Sequence, residues 1–177
     1  MRPFLTGLAA FVVTFLLAHF AVLSALPGRI MSTVRERMAD TGIPAHSWTM
    51  SARINPETQS VVRPSPDLAY AICLIDVSEG PVELSVPAWP EYGSLSIFEA
   101  DTDNVYAGSL DARAEGATGV RRVIVAMDGQ DLYDYGDAEQ VILAKPQALA
   151  LIRRLAPTQA AYDAAAALIP ASRCAPL

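Results

Sequence analysis

The most constraining feature of this 177-residue chain is a run of 23 residues without a formal charge, from Phe4 to Leu26. As an α-helix rising about 1.5 Å per residue, such a run is long enough to cross the roughly 30 Å hydrocarbon core of a bilayer. Pro27 and Gly28 come directly after it and predict the end of the helix. We therefore predict a transmembrane anchor over residues 1–28.

Two alternatives to a retained anchor stay open. A cleaved signal peptide has an apolar stretch of only about 7–15 residues before a small-residue cleavage site. The best such site here is Val22-Leu23-Ser24 before Ala25. The other alternative is a helix buried in a protein core. His19 lies inside the run, where polar groups are costly, so we predict that it reaches the membrane interface or contacts a partner helix, with a cofactor ligand as the third alternative.

The arginines near the run leave the orientation of the anchor open. Arg2 precedes the run, whereas Arg29, Arg35 and Arg37 lie after it, which by the positive-inside rule favours a cytoplasmic C-terminal domain. A short N-terminal tail followed directly by an apolar run is instead typical of an export signal that is not cleaved. We favour this second interpretation, which places the domain outside the cytoplasm.

Length and charge limit the kind of domain that the anchor carries. About 145 residues remain after the anchor, which is the usual size of one domain. The net charge is -6, and Lys145 is the sole lysine, so the basic stripe of a nucleic-acid-binding protein is missing. Ten acidic residues fall between Glu99 and Glu139. They predict an acidic side made of solvated loops.

Two cysteines suggest the redox compartment. Cys73 lies in an apolar, strand-like run and Cys174 lies near the C-terminus. A disulfide between them would close a loop of about 100 residues and stabilise the fold by a few kcal/mol on the chain-entropy model. Such a bond implies an oxidising compartment. Two unrelated reduced thiols are the alternative.

Periodicity predicts a mainly β domain of the antiparallel β-sandwich or jelly-roll-like kind, with the N-terminal transmembrane helix and a C-terminal helix over 158–169. A short amphipathic helix (29–41) and an irregular connector (45–66) make a juxtamembrane segment 29–66, and the sandwich occupies 67–177. The predicted strands are 68–77, 82–86, 94–98, 104–110, 122–127 and 140–144. The first two are predicted to form a hairpin, and 148–155 is left as strand or helix.

No catalytic or metal motif has its required spacing. A Ser-His hydrolase would have to use His46 with Ser94 or Ser96, and the Gly-x-Ser-x-Gly elbow is absent from the sequence. Asp101 to Asn104 resembles the start of a calcium loop, but lacks the glycine and glutamate of an EF-hand, so an Asx-turn is the simpler interpretation. We predict no metal and no cofactor.

One patch combines aromatic residues with carboxylates at two strand entries. Asp67 and Tyr70 belong to the first segment, Trp89 and Tyr92 to the second. These four residues would suit a shallow ligand or partner site with a few polar groups. The alternative is that they are strand caps and core aromatics.

Three segments resemble a known family. They are Pro66-Asp67-Leu68-Ala69-Tyr70, Asp76-Val77-Ser78-Glu79-Gly80-Pro81 and Tyr92-Gly93-Ser94-Leu95. They are similar to the Pro-Asp-x-x-Tyr run, the Asp-(Leu)-Ser-x-Gly-Pro turn and the Tyr-x-Ser-Leu segment of a bacterial envelope family called domain of unknown function 1254. The resemblance covers about residues 64–106 and extends to the anchor end and Cys174, as in short, single-anchor members. Ser65 stands where many members have Asn.

The resemblance implies a β-sandwich in the periplasm, held by a single pass through the bacterial inner membrane. It also implies frequent company with a sister domain of unknown function, fused in long members or encoded separately beside short ones, and this chain looks like a short member. Our leading hypothesis is therefore a binding or assembly module that docks this sister envelope protein, with the bilayer as its other partner and no nucleic acid. The alternative is an envelope hydrolase acting on a lipid or glycan.

Overall fold

The computed structural model describes residues 2–55, 64–132 and 135–177, so parts of the predicted connector (45–66) and of the acidic stretch (99–139) lie outside the described residues. The described chain forms two packed β-sheets, with an N-terminal helix α1 and a C-terminal helix α2. The first sheet has the strand order β1-β2-β8-β4-β5 and the second has the order β7-β6-β3-β9. The elements are α1 (Arg2–Asp40), β1 (Thr49–Met50), β2 (Leu68–Asp76), β3 (Val82–Pro87), β4 (Gly93–Glu99), β5 (Asn104–Ser109), β6 (Val120–Met127), β7 (Glu139–Leu143), β8 (Gln147–Leu155), α2 (Gln159–Ala167) and β9 (Arg173–Pro176). The predicted sandwich-like, mainly β fold with a helix at each end is confirmed.

Helix α1 is one continuous helix of 39 residues with Pro27 inside it. The predicted end at Pro27 and Gly28 is therefore wrong, and the helix expected over 29–41 is the continuation of the apolar one. Proline removes one backbone hydrogen bond, a loss that long apolar helices tolerate. The helix is long and apolar enough to cross a membrane, and none of its apolar window is buried, which argues against a core helix.

The core lies between the two sheets and results from alternation along the strands. On β3, Val82, Leu84 and Val86 are fully buried. On β2, Cys73 points into the same core and forms a disulfide with Cys174 of β9, whose Cα atom is 6.7 Å away. The bond joins the two sheets and fits an oxidising compartment.

The predicted hairpin of β2 and β3 is wrong. Strand β2 pairs with β1 and β8, whereas β3 pairs with β6 and β9 in the other sheet. The turn over 78–81 therefore carries the chain across the sandwich. Alternation specifies which face of a strand is buried, and two consecutive strands on opposite sheets satisfy it as well as a hairpin does.

Other differences concern the later elements. Strand β7 runs parallel to β6, so one pair departs from the antiparallel prediction. The ambiguous segment 148–155 lies in strand β8. The predicted C-terminal helix is present as α2, and the Thr158 side chain caps it by accepting a hydrogen bond from the Ala161 amide at 3.2 Å. Strands β1 and β9 were not predicted because each is too short to show a period.

Candidate functional site

The predicted patch residues gather around the C-terminal end of β8. The Asp67 carbonyl accepts a hydrogen bond from the Ala156 amide at 2.7 Å, and the Tyr92 carbonyl accepts one from the Leu155 amide at 2.8 Å. The Trp89 indole nitrogen donates to the Leu155 carbonyl at 3.0 Å. The two segments that the sequence singled out are thus neighbours in space.

Trp89 does not line a surface site. It is 8% exposed and packs in a small apolar cluster with Ala69, Ala156 and Ala165. The tight packing extends to Gly93, where an added Cβ would lie 3.2 Å from the Trp89 Cβ and 3.0 Å from the Leu110 Cβ. For Trp89 the core-aromatic interpretation is the one that the geometry supports.

Beside Trp89 lies a buried cation that the sequence analysis missed. Arg154 is 1% exposed, and its guanidinium carbon is 5.9 Å from the Trp89 ring centroid. Its Nη1 donates to the Ala165 carbonyl in the last turn of α2 and its Nη2 donates to the Pro87 carbonyl, at 3.3 and 3.0 Å. Burial lowers the Arg154 pKa to about 10. The sequence signal for a buried arginine was the consecutive pair Arg153-Arg154. Consecutive strand residues face opposite sides of a sheet, so one of the two has to point inward.

Tyr70, Tyr92 and Arg153 meet on the outer face of the first sheet. Tyr70 on β2 is paired with Arg153 on β8, and Arg153 is paired with Ser94 on β4. The side chains of Tyr70, Arg153 and Ser94 therefore form one row across the three strands. Tyr92, 47% exposed, places its hydroxyl 3.4 Å from the Ser94 hydroxyl. We call Tyr70, Tyr92, Ser94 and Arg153 the Tyr–Arg surface. The exposed residue Asp67 precedes β2 nearby.

Arg153 and Tyr70 are held in place by neighbours. The Arg153 guanidinium donates to the Ser96 hydroxyl at 3.3 Å and lies 5.9 Å from the Phe98 ring centroid. The Tyr70 hydroxyl accepts a hydrogen bond from the Ser65 amide at 2.9 Å. Both side chains of the row are therefore ordered.

Helix α1 covers the other half of the same outer face. Met31 packs with Leu74 and Leu149 in a buried apolar cluster, to which Met38 and Ile43 add partly buried contacts. Phe98 also belongs to this cluster and forms its border with the Tyr–Arg surface, because the Arg153 guanidinium lies over its ring. The outer face is thus divided into an apolar half under the helix and an aromatic, basic half beside it.

His46 lies in a concave region on another part of the domain. It has a left-handed backbone (φ 55°), and its Nδ1 atom is buried without a hydrogen-bond partner among the described residues. It lines two cavities, of about 360 and 430 Å³. The remaining lining residues are Ser47, Trp48 and Pro170 to Cys174 for the first, and Asp76, Ser78, Glu79, Gly80, Pro176 and Leu177 for the second.

The Ser-His pair of the hydrolase hypothesis is not assembled. His46 is bonded through its amide to the Leu74 carbonyl at the outer edge of β2, whereas Ser94 and Ser96 lie on β4, so both β2 and β8 stand between His46 and the serines. At about 4.8 Å between strands, the backbones are separated by roughly 15 Å, which exceeds hydrogen-bond reach.

Asp101 forms the expected Asx-turn. Its carboxylate accepts a hydrogen bond from the Asp103 amide at 3.4 Å and lies 3.3 Å from the Lys145 ammonium. Its slight burial raises the Asp101 pKa, but these two partners outweigh that effect and hold the pKa below its usual value. Among the described residues, no group of three or more His, Cys, Asp or Glu side chains has the arrangement of a metal site.

His19 lies on the exposed surface of α1 within a row of aromatic rings. Its ring stacks on Phe15, with centroids 5.8 Å apart, and meets Phe20 edge-on at 5.9 Å. Phe15 in turn stacks on Phe11 at 6.3 Å. A role of His19 at the interface or against a partner helix stays a prediction.

A solved structure shares the fold. The VPA0106 protein from Vibrio parahaemolyticus is similar with a TM-score of 0.64 and 18% identity, over 85% of this chain and 35% of that one. A putative uncharacterized protein from Burkholderia cenocepacia has a TM-score of 0.44 and 14% identity, over 81% of this chain and 38% of that one. The chain thus spans little more than a third of the length of either structure.

None of the curated proteins matches the sequence. A family model described as "Protein of unknown function (DUF1254)" matches residues 45–176, which include the Tyr–Arg surface, His46 and both cysteines. That range is most of the chain, and the resemblance carried by the Pro-Asp-x-x-Tyr and Tyr-x-Ser-Leu segments agrees with it. The chain belongs to the DUF1254 family.

Proposed function

We propose that this protein spans the bacterial inner membrane once through α1 and holds its sandwich in the periplasm, where the Tyr–Arg surface docks a sister envelope protein. The exposed apolar half of α1 supports the anchor. The disulfide between Cys73 and Cys174 supports an oxidising compartment outside the cytoplasm.

One observation carries the docking role. The outer face of the first sheet is apolar where α1 covers it and changes to Tyr70, Tyr92 and Arg153 beyond the helix. Tyrosine and arginine are enriched in protein interfaces and dominate their binding energy. Since Arg153 and Tyr70 are already held by Ser96, Phe98 and Ser65, a partner loses little side-chain entropy on binding them.

Site-specific photo-crosslinking in cells tests the docking role. A photoreactive residue replaces Tyr92 in the full chain, and the matched control replaces Ile142 on β7, which is also 47% exposed. We expect an adduct with the co-expressed sister protein from position 92 and none from position 142. Equal adducts from both positions, or none from position 92, would contradict docking at this surface.

A second variant separates the surface from the fold. In the chain with the probe at position 92, Arg153→Ala is expected to lower the adduct yield about tenfold, the effect of losing one interface residue worth about 1.4 kcal/mol. Arg173→Ala is the control, because the Arg173 side chain is 54% exposed and pairs with Glu83 on the second sheet. The same yield from both variants would remove Arg153 from the interface.

The periplasmic orientation has its own test. Both native cysteines are buried and joined, so a membrane-impermeant thiol reagent reports only an added cysteine. Ala117→Cys places one in an exposed loop. Labelling in spheroplasts without lysis is the expected result, and labelling only after lysis would show that the domain is cytoplasmic.

A further inference from the structure

The sandwich meets α1 directly after the apolar run. Residues 3–26 of the helix are exposed, Pro27 and Gly28 are half-buried, and Met31 is buried. At Gly28 the neighbour is the turn between β4 and β5, because an added Cβ would lie 3.8 Å from the Ala100 carbonyl oxygen. The turn formed by residues 100–103 therefore lies beside the helix at the level of residue 28.

This contact fixes the height of the turn relative to a membrane. Residue 28 is two residues beyond Leu26, which corresponds to about 3 Å along the helix. The headgroup layer on each side of the hydrocarbon core is about 5–8 Å thick. Membrane helices tilt by about 20° on average. For an atom that lies roughly 7 Å from the helix axis, such a tilt changes the height above the membrane by only about 2–3 Å, so the turn stays in this layer.

The chemistry of the turn suits a phospholipid surface. Asp101 and Asp103 belong to the turn, and Lys145 reaches it from the connection between β7 and β8, with its ammonium 3.3 Å from the Asp101 carboxylate. Lys145 is the sole lysine in the chain, and its side chain is 51% exposed. Phospholipid headgroups offer phosphate oxygens to such an ammonium, and the common zwitterionic ones add an ammonium for the carboxylates.

We propose that the turn 100–103, together with Lys145, rests in the lipid headgroup layer and contacts phospholipid headgroups. This inference rests on the proposed anchor, since it takes α1 as the membrane span. It goes further than an anchor alone, because it seats one end of the sandwich on the bilayer with no flexible linker between them. A soluble partner then has to approach from another side, which agrees with docking at the Tyr–Arg surface.

Fluorescence quenching in vesicles of phosphatidylethanolamine and phosphatidylglycerol tests the seating. The full chain is labelled with an environment-sensitive fluorophore at Thr102→Cys, at Leu16→Cys in the apolar run, or at Asp40→Cys. Asp40 is the matched control, because it is exposed on the same helix about 21 Å beyond Leu26. The quenchers are lipids with a spin label on the headgroup or on the acyl chain.

We expect headgroup-labelled lipid to quench the probe at position 102 several-fold more than the probe at position 40, and acyl-labelled lipid to quench the probe at position 16. Equal weak quenching at positions 102 and 40, with position 16 still quenched, would overturn the seating and leave the anchor intact. No quenching at position 16 would overturn the anchor and the seating together. Asp103→Cys repeats the measurement if the Thr102 variant does not fold.

Discussion

The two halves of one sheet face differ although the same strands form them. In the covered half, Leu74 of β2 and Leu149 of β8 are paired and buried under Met31 of α1. Four residues along the same strands, Tyr70 and Arg153 are paired on the same face without that cover. The comparison shows that the strand residues match their cover: they are apolar where α1 packs on the sheet and polar or aromatic where it does not.

The largest expected effect is a difference in the loss of stability between substitutions in the covered and the uncovered half. Leu149→Ala opens a cavity under α1 and is expected to lower the free energy of unfolding by about 3 kcal/mol. Arg153→Ala, at the matching position on the uncovered half, is expected to cost less than about 1 kcal/mol, because partly exposed polar contacts contribute little. Urea unfolding of the full chain in detergent micelles measures both. Equal losses would mean that the two halves are packed alike.

A smaller effect is expected beneath the uncovered half. Arg154→Leu leaves the Ala165 and Pro87 carbonyls without their guanidinium partner, which predicts a loss of about 2 kcal/mol. The same unfolding measurement applies. Arg153→Leu is the matched control, since the two arginines are consecutive on β8 and point to opposite faces. A loss from Arg153→Leu as large as that from Arg154→Leu would contradict the assignment of faces.

A third substitution weakens the contact between α1 and the first sheet. The half-buried Arg35 donates a hydrogen bond from α1 to the Ala148 carbonyl at the start of β8. Burial lowers the Arg35 pKa, and the charge of Asp76 partly restores it. Arg35→Leu removes this bond and is expected to lower the free energy of unfolding by about 1 kcal/mol. Arg37→Leu, exposed on the same helix, is expected to be neutral, and a larger loss there would argue against a specific role for Arg35.

Much of this division was predictable from residue types, because alternation places apolar and polar side chains on known faces. The strands 82–86, 94–98 and 122–127 were located by alternation or by β-branched content, and each lies within an observed strand. Their partners were not predictable, because the same alternation fits a hairpin or a crossing between sheets. The wrong hairpin of β2 and β3 and the parallel β7 both result from this degeneracy.

The patch shows the same limit at the level of single residues. Trp89 and Tyr92 lie three residues apart on either side of Pro90, where the strand period is interrupted, so the sequence did not indicate which ring would be buried. The structure buries Trp89 against Arg154 and leaves Tyr92 half-exposed. The extent of α1 was missed for a related reason, since proline is a strong signal for a helix end in a soluble protein and a weak one in a long apolar helix.

The smallest expected effect is a pH dependence confined to the covered half. Asp76, at the end of β2, faces Arg35 and accepts hydrogen bonds from the Ser78 hydroxyl and amide at 2.6 and 3.0 Å. Burial raises the Asp76 pKa, but the bonds from Ser78 and Gln147 and the charge of Arg35 outweigh that effect and lower it below the usual 3.8. The ionised carboxylate therefore stabilises the fold above about pH 4, and this contribution disappears as the pH falls through the lowered pKa.

Hydrogen exchange of the backbone amides checks this prediction. Because Asp76 is partly exposed, the loss is expected to stay below about 1 kcal/mol. Between neutral pH and about pH 3, amides of α1 over 29–40 are expected to lose protection, after correction for intrinsic rates, while those of β8 over 151–155 keep it. Asp76→Asn should remove most of the difference, and Glu115→Gln, on an exposed loop, should leave it. Equal loss of protection in both segments would show that acid weakens the whole sandwich and that the cover of α1 is not held separately by Asp76 and Arg35.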